Sequence, residues 1–341
     1  MKVTPSQLTR LLEAYIPAGL PVLVTGAPGV GKSCIVAAAA AAAGYDLLIS
    51  HPVVEDPTDS KGLPFPGQDG HSARFLPFGD LETALNSIKP LVWFFDDLGQ
   101  ASPAVQAAKM QLLLARRIGD HVLPNHVTFV AATNRRIDNA GVSGMLDPLK
   151  SRFATIVELV PDPDEWAQWA VQEQRPPELI AFMSFRPKLL SSDERAPDME
   201  NRPSPRGWEF VARQMAVVPP DLELIAFAGT VGEGAALEFQ TFREIYRQLP
   251  SVAGVLAYPD RADIPDEPSA KLSIATAIGS VANENNFDRI MIYADRMHRE
   301  GGGDAAVLMV SEAIRRDQTI LSTPAFIRAQ SGPIGRAILG Q

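Results

Sequence analysis

The sequence predicts an α/β fold: a parallel sheet with helices on both faces, followed by a region that is almost wholly helical. Three observations predict it. Short, nearly continuous apolar segments (PVLVT at 21–25, LVWFF at 91–95, VTFVAAT at 127–133) alternate with helix-forming segments, and strands apolar on both faces belong to parallel sheets buried between helices. A glycine loop joins the first of these strands to an alanine-rich helix. Beyond about residue 160, strand patterns become scarce and the proline clusters PDPD, RPP, RPSP and VPP separate helical stretches.

Taken in order, residues 5–18 form an amphipathic helix with Leu8, Leu11, Leu12 and Tyr15 on one face, ended by Pro17 and Gly19. The strand at 21–25, the glycine loop and the helix beginning CIVAAAAAAA follow. Gly44 stops that helix, whose small side chains let it lie close on a sheet, and a second strand occupies 46–50. Residues 51–80 break the α/β rhythm, being rich in Pro, Gly and Asp. Gly67-Gln68-Asp69-Gly70 is a good turn between short extended pieces, so a hairpin insert is expected there. Helices at 80–87 and about 103–117 flank the strand LVWFF, and VTFVAAT comes next. Further on, helices are expected at 164–174, 176–185, 206–217, 221–229 and 235–248, then a linker at 251–267, then helices near 268–284, 286–299 and 304–316. Phe287, Ile290, Met291, Ala294 and Met297 recur at helical spacing, the pattern of a core face or subunit contact.

Composition narrows the function classes. The chain has 341 residues, 46% of them hydrophobic and 21% charged, ordinary values for a globular protein of about two domains. A net charge of −9, with no basic-aromatic stretch, argues against a surface built to hold nucleic acid. The one cysteine, Cys34, excludes a disulfide framework and a cysteine-rich metal site; a small buried side chain or a redox switch beside the loop are its two readings. The opening MKVTPSQLTR lacks the apolar core of a signal peptide, and no apolar run approaches a membrane span. A cytoplasmic protein without membrane insertion is expected.

The chemistry centres on Gly26-Ala27-Pro28-Gly29-Val30-Gly31-Lys32-Ser33, which reads G-x-x-x-x-G-K-S. Glycines let backbone N–H groups turn inward around phosphate, and the following helix adds its positive N-terminus. Lys32 can reach the β- and γ-phosphates and Ser33 can ligate Mg²⁺. The segment therefore implies a bound nucleoside triphosphate, with contacts running from Gly26 through Cys34. LVWFFDDL supplies the complement: Asp96 at the strand end to hold the metal shell, and Asp97 to orient or deprotonate the attacking water. VTFVAAT ends at Asn134, an uncharged amide able to reach the γ-phosphate or its water, or else simply a turn-forming residue.

In order, GAPGVGKS, FFDDL and VAATN resemble the Walker A, Walker B and sensor-1 elements of AAA+ ATPases, a branch of the P-loop NTPases. LDPLKSRF is similar to the segment where that family carries an arginine finger, which makes Arg152 the candidate, with Arg135 and Arg136 as rivals. RPSPRGWEF resembles the start of a sensor-2 helix, which makes Arg206 the candidate there. DSKG and RFLPFGDL sit where the MoxR branch places a hairpin insert. The likeness covers roughly residues 5–250. It implies an AAA+ α/β core over 1–160 with an insert near 51–80, an all-α lid domain over 161–250, and leaves 251–341 as a helical C-terminal extension. It also implies ATP and Mg²⁺ as cofactors, assembly into a homo-oligomeric ring with a hexamer expected, and a protein client, for which proteins bearing a von Willebrand factor A domain are the family's common partners. Phe65 and Phe75 are the aromatics the insert would offer such a client, unless they pack the hairpin itself.

One residue departs from the family's pattern. Asp97 stands where glutamate is usual, one methylene shorter, and catalysis depends steeply on such placement. A slow or inactive nucleotide-gated scaffold is therefore an alternative, as is a nucleic-acid-associated loader built on the same core. A GTPase would need an N-K-x-D motif, which the sequence lacks.

Overall fold

The computed structural model describes residues 1–67, 71–138, 144–192 and 199–338. Two compact units divide the chain. Met1–Glu165 together with Ser204–Gly207 form the first, and Trp166–Ser192 together with Trp208 onward form most of the second.

The first unit is built on a six-stranded sheet. Its elements are β1 (Lys2–Val3), α1 (Pro5–Tyr15), β2 (Val22–Thr25), α2 (Lys32–Ala42), β3 (Asp46–Ser50), α3 (Pro57–Lys61), β4 (Leu63–Pro66), β5 (Ala73–Leu76), α4 (Gly79–Leu85), β6 (Leu91–Phe95), α5 (Pro103–Ala115), β7 (Arg117–Ile118), β8 (His121–Val122), β9 (Val127–Thr133), α6 (Asp147–Lys150) and β10 (Thr155–Leu159). The sheet order is β1-β10-β2-β9-β6-β3 and every pairing is parallel. Every residue of β6 and β9 is buried, as their unbroken apolar runs require. One face of the sheet packs Trp93, Phe95 and Phe129 with Leu112 and Leu113 of α5; the other packs Val92, Phe94 and Val130 with Leu8 and Leu12 of α1 and Val36, Ala39 and Ala40 of α2. This is the predicted α/β class, a P-loop core with helices on both faces.

Local chemistry fixes the helix starts. Thr4 and Gln7 form a reciprocal capping box at α1, with Pro5 in the first turn. Glu165 reinforces that end, accepting from the Thr4 hydroxyl at 2.6 Å and from the Ser6 amide and hydroxyl, each at 2.7 Å. Ser102 caps α5 ahead of Pro103.

β4 and β5 pair as the expected antiparallel hairpin, closed by the Gly67 amide donating to the Ser72 carbonyl at 2.8 Å. Gln68-Asp69-Gly70 of the expected turn lie outside the described residues. Phe65 and Phe75 are not buried within the hairpin: they are 59% and 44% exposed, with Leu63 and Leu76 similarly exposed.

In the second unit come α7 (Pro163–Gln172, which starts in the first unit), α8 (Pro177–Phe185), α9 (Pro205–Gln214, whose first residues also belong to the first unit), α10 (Glu223–Val231), α11 (Glu233–Gln248), α12 (Val252–Ala257), α13 (Pro268–Ser280), α14 (Phe287–Arg299), α15 (Gly303–Arg316), α16 (Pro324–Ala329) and α17 (Pro333–Ile338). One cluster gathers Phe182, Trp208, Phe227, Phe239 and Phe242; there the buried Arg243 donates to Glu178 at 2.7 Å and to Glu223 at 2.7 and 3.2 Å, joining α8, α10 and α11. A second cluster holds Phe287, Ile290, Met291, Ala294 and Met297, so that helical stripe is core. The stretch 251–267, expected as a linker, contains α12, which starts at a Ser251 cap and buries Val255 in this second cluster. Among the described residues no helix is long and apolar enough to cross a membrane.

Candidate nucleotide site

The glycine loop follows β2 directly, between β10 and β9 in the sheet. Gly29 and Gly31 have φ of 78° and 99°, a left-handed conformation that favours glycine. A side chain at Gly29 would also meet the Ser204 hydroxyl at 3.0 Å, because the segment Ser204–Arg206 lies on the loop and the Arg206 amide donates to the Gly29 carbonyl at 3.1 Å. The Arg206 side chain is exposed there.

Lys32 is buried, and its ammonium spends three donors on three acceptors: the Gly26 carbonyl at 2.9 Å, the Ala27 carbonyl at 3.0 Å and Asn134 Oδ1 at 2.8 Å. Asn134 passes the connection on, its Nδ2 donating to Asp97 Oδ1 at 3.1 Å. Ser33 Oγ donates to Asp96 Oδ2 at 2.7 Å. The loop lysine, both acids and the amide after β9 thus meet at one end of the sheet. Ser33 and Asp96 place two hard oxygen donors side by side. Among the described residues no group of three or more His, Cys, Asp or Glu is arranged to cage an ion. That sparse donor set suits Mg²⁺, which keeps several waters and shares the ligation with substrate phosphates.

Burial lowers the Lys32 ammonium to about 8, against the upward pull of Asp97, Asp96 and Asp138 and with a small further push down from Arg206. Between pH about 8 and its unfolded value of 10.5, the unfolded chain binds the proton that folded Lys32 has lost, so this group's contribution to stability rises with pH across that window. Triphosphate favours the ammonium. At pH about 8.5, nucleotide binding is therefore expected to take up a proton, measured by titration calorimetry in two buffers of different ionisation enthalpy. Zero uptake at this pH would contradict it.

Asp97 carries a backbone feature that its sequence position does not reveal. Its backbone is left-handed (φ 56°, ψ 33°), a region that aspartate tolerates better than most residues. Of the three arginines considered, Arg135 is committed within its own chain, to Asp138 at 2.8 Å and Glu158 at 3.1 Å. Arg136 is exposed. Arg152 is partly buried just beyond α6; its Nη1 donates to Ser151 at 3.0 Å, and its Nε, shielded from solvent, has no hydrogen-bond partner among the described residues.

Cys34 corrects the expectation of a buried side chain, since it is exposed. It lies two residues from Val36, about 200° around the helix at 3.6 residues per turn, away from the face that Val36, Ala39 and Ala40 bury. That phase was readable from the sequence.

Sequence reasoning also missed how the hairpin is rooted. Asp80, just after β5, accepts from the Ser50 hydroxyl, which in turn accepts from the Trp93 indole at 2.6 Å. Glu55, just before α3, pairs at 2.7 Å with Lys109 of α5, whose buried ammonium sits 5.3 Å from the Trp93 ring and 4.8 Å from the Phe95 ring. Burial lowers the Lys109 pKa against the opposing pull of Glu55, Asp80 and Asp59. Both roots of the hairpin therefore reach the side chains of β6, the strand that leads into Asp96, through one intermediary each, Ser50 of β3 and Lys109 of α5.

Fold and site together define a P-loop nucleotide-binding protein. Residues 22–159, from β2 to β10, match the family described as ATPase family associated with various cellular activities (AAA). No curated protein sequence matches the chain. Similar solved structures include the RuvB Holliday junction branch migration motor of Thermotoga maritima, at 19% identity over 75% of this chain and 80% of that one, with a TM-score of 0.40. Others are a putative ATPase from Cytophaga hutchinsonii (14% identity, 91% and 79% coverage, TM-score 0.33) and NtrX from Brucella abortus in complex with ADP (15% identity, 98% and 68% coverage, TM-score 0.37).

Proposed function

We propose that the chain is a MoxR-like AAA+ ATPase of the cytoplasm that binds ATP with Mg²⁺, hydrolyses it to ADP and phosphate, and remodels a protein client from within a homo-oligomeric ring, taken to be a hexamer. The observation that carries this reading is the hydrogen-bonded line Lys32–Asn134–Asp97 beside the Ser33–Asp96 pair. It sets a cation for the phosphates, oxygens for the metal and a carboxylate for the water within one site. The MoxR assignment draws support from the hairpin β4–β5, inserted between β3 and α4 with four apolar side chains bare to solvent. Exposed apolar clusters of that kind mark protein-binding surfaces. A client bearing a von Willebrand factor A domain is part of this proposal. So is a division of labour among the core to residue 160, a lid over 161–250 that moves with nucleotide state and carries Arg206 near its start, and an extension over 251–341.

Arg152 is assigned as the finger supplied to a neighbouring subunit. Its guanidinium is only partly satisfied within its own chain, whereas that of Arg135 is held by two carboxylates. The net charge of −9 favours a protein over a nucleic acid as client.

Mass measured in solution by light scattering tests the ring. With ATP and Mg²⁺ the 36.8 kDa chain is expected to assemble to six copies, and without nucleotide to fall to smaller species. A monomer under saturating ATP·Mg²⁺ would overturn the ring, and with it the finger in trans.

A further inference from the structure

The first acid pair of the site has a third member that no motif contains. After Asp97 the chain makes a single tight turn, Leu98–Gln100, anchored by the buried Leu98 and Gly99, with the Gln100 amide donating to the Asp97 carbonyl at 3.0 Å. This turn brings the Gln100 side chain back over Asp97, and Gln100 Nε2 donates to Asp97 Oδ1 at 2.9 Å. The same oxygen accepts from Asn134 Nδ2 at 3.1 Å. Two amides thus converge on one carboxylate oxygen, and among the described residues Oδ2 accepts no hydrogen bond.

The other end of the Gln100 amide is informative. Its Oε1 is shielded from solvent and has no hydrogen-bond partner among the described residues. A buried carbonyl left unpaired is a cost to folding. Its neighbour Asp97 also holds a left-handed backbone, uncommon outside glycine. One locally unfavourable feature therefore stands on the residue expected to act as base and one on the residue that donates to it, on the two sides of a single contact. Unfavourable local choices of this kind concentrate at functional sites.

We propose that Gln100 is a positioning residue for Asp97: with Asn134 it clamps Oδ1, fixes the rotation of the short carboxylate, and reserves Oδ2 for the reacting water. This rests on the reading of the chain as an ATPase and deepens it. In the step served, an O–H bond of water breaks and its proton passes to Asp97 Oδ2. The water oxygen forms a bond to the γ-phosphorus, and the bond from that phosphorus to the β-γ bridging oxygen breaks, its electron pair leaving on ADP. A glutamate would reach further but swing through one more torsion. Aspartate gives up reach, and two amide donors remove its remaining freedom. Asn134 is shared with Lys32, so among the described residues Gln100 is the side chain that holds the Asp97 carboxylate without another hydrogen bond of its own.

Gln100→Leu tests this, because leucine keeps the volume, removes the donor and also removes the orphaned carbonyl. The full chain with ATP·Mg²⁺ is expected to lose about tenfold to a hundredfold in kcat, the scale of a misplaced catalytic group. ATP affinity should be unchanged, and the melting temperature equal or higher. Gln100→Glu, which sets a second carboxylate against Asp97, should lose more. In an Asp97→Asn background, Gln100→Leu should cost nothing further, since residues acting through one group are not additive. An unchanged kcat in Gln100→Leu, a full additional loss in the Asp97→Asn background, or a fall in kcat matched by a fall in melting temperature would each overturn the proposal. Turnover undiminished by Asp97→Asn, in place of the low residual rate on which that comparison is made, would instead overturn the role of Asp97 as base, and the positioning role with it. Wild-type protein that binds ATP and releases no phosphate would overturn the ATPase reading itself.

Discussion

Arg152→Ala is expected to lower ATP turnover by about 10³–10⁵-fold while leaving ATP affinity intact, the scale of losing an arginine that neutralises developing charge on a transferring phosphoryl group. Arginine suits the role because it stays charged and meets phosphate oxygens with a planar fork of donors. Arg152 has the structural freedom for it: one contact to the adjacent Ser151 and, among the described residues, no carboxylate partner. The decisive measurement is complementation. Arg152→Ala mixed with Lys32→Ala should recover partial activity, since mixed rings contain interfaces with one intact Lys32 and one intact Arg152. A surface arginine would show neither the loss nor the recovery. If the two variants co-assemble and no activity returns, Arg152 does not act across subunits and Arg136 becomes the leading candidate, as Arg135 is held by Asp138 and Glu158.

Lys32→Ala should abolish ATP binding and nucleotide-dependent assembly with the fold retained. The ammonium is the cation that the loop itself supplies, and alanine leaves the Gly26 and Ala27 carbonyls and Asn134 Oδ1 facing a space where phosphate oxygens would come. Acceptors meeting anions repel rather than bind. The same change frees Asn134 from Lys32, so any residual turnover should be impaired as well. Circular dichroism and melting check the fold; nucleotide titration checks the binding. Wild-type turnover in this variant would mean that the loop does not hold the phosphates.

Much of the first unit was legible because its signals are local. LVWFF and VTFVAAT are strands β6 and β9 with the same ends, since both lie wholly inside the sheet and their apolar runs stop where burial stops. Pro5, Pro103 and Pro205 stand in the first turns of their helices. Segments whose structure depends on distant partners carry weaker local signals. The run SVAGVLAY looked like a linker because prolines and acids follow it, yet Val255 finds a core to join and a short helix forms. Cys34 suggests burial by its residue type, while its helical phase turns it to solvent. Within the site, loop lysine, acids and amide were readable from motifs, and the structure brings Lys32, Ser33, Asp96, Asp97 and Asn134 together. The Gln100 clamp was not readable: a glutamine three residues after an aspartate carries no signal until the turn between them is seen. The link from Glu55 to Lys109 spans more than fifty positions of sequence, and only the folded chain makes it.

That last pair constrains how the sequence can drift. Glu55 and Lys109 meet where water does not reach Lys109, against the rings of Trp93 and Phe95. Changing either one alone strands a charge, at a cost of about 3–5 kcal/mol, a sizeable share of the roughly 5–15 kcal/mol by which a protein is stable. Exchanging both for apolar residues of similar volume is often neutral. The two positions are therefore joined as one heritable unit: in any set of related chains they should be found charged together or apolar together, and the mixed combinations should be missing.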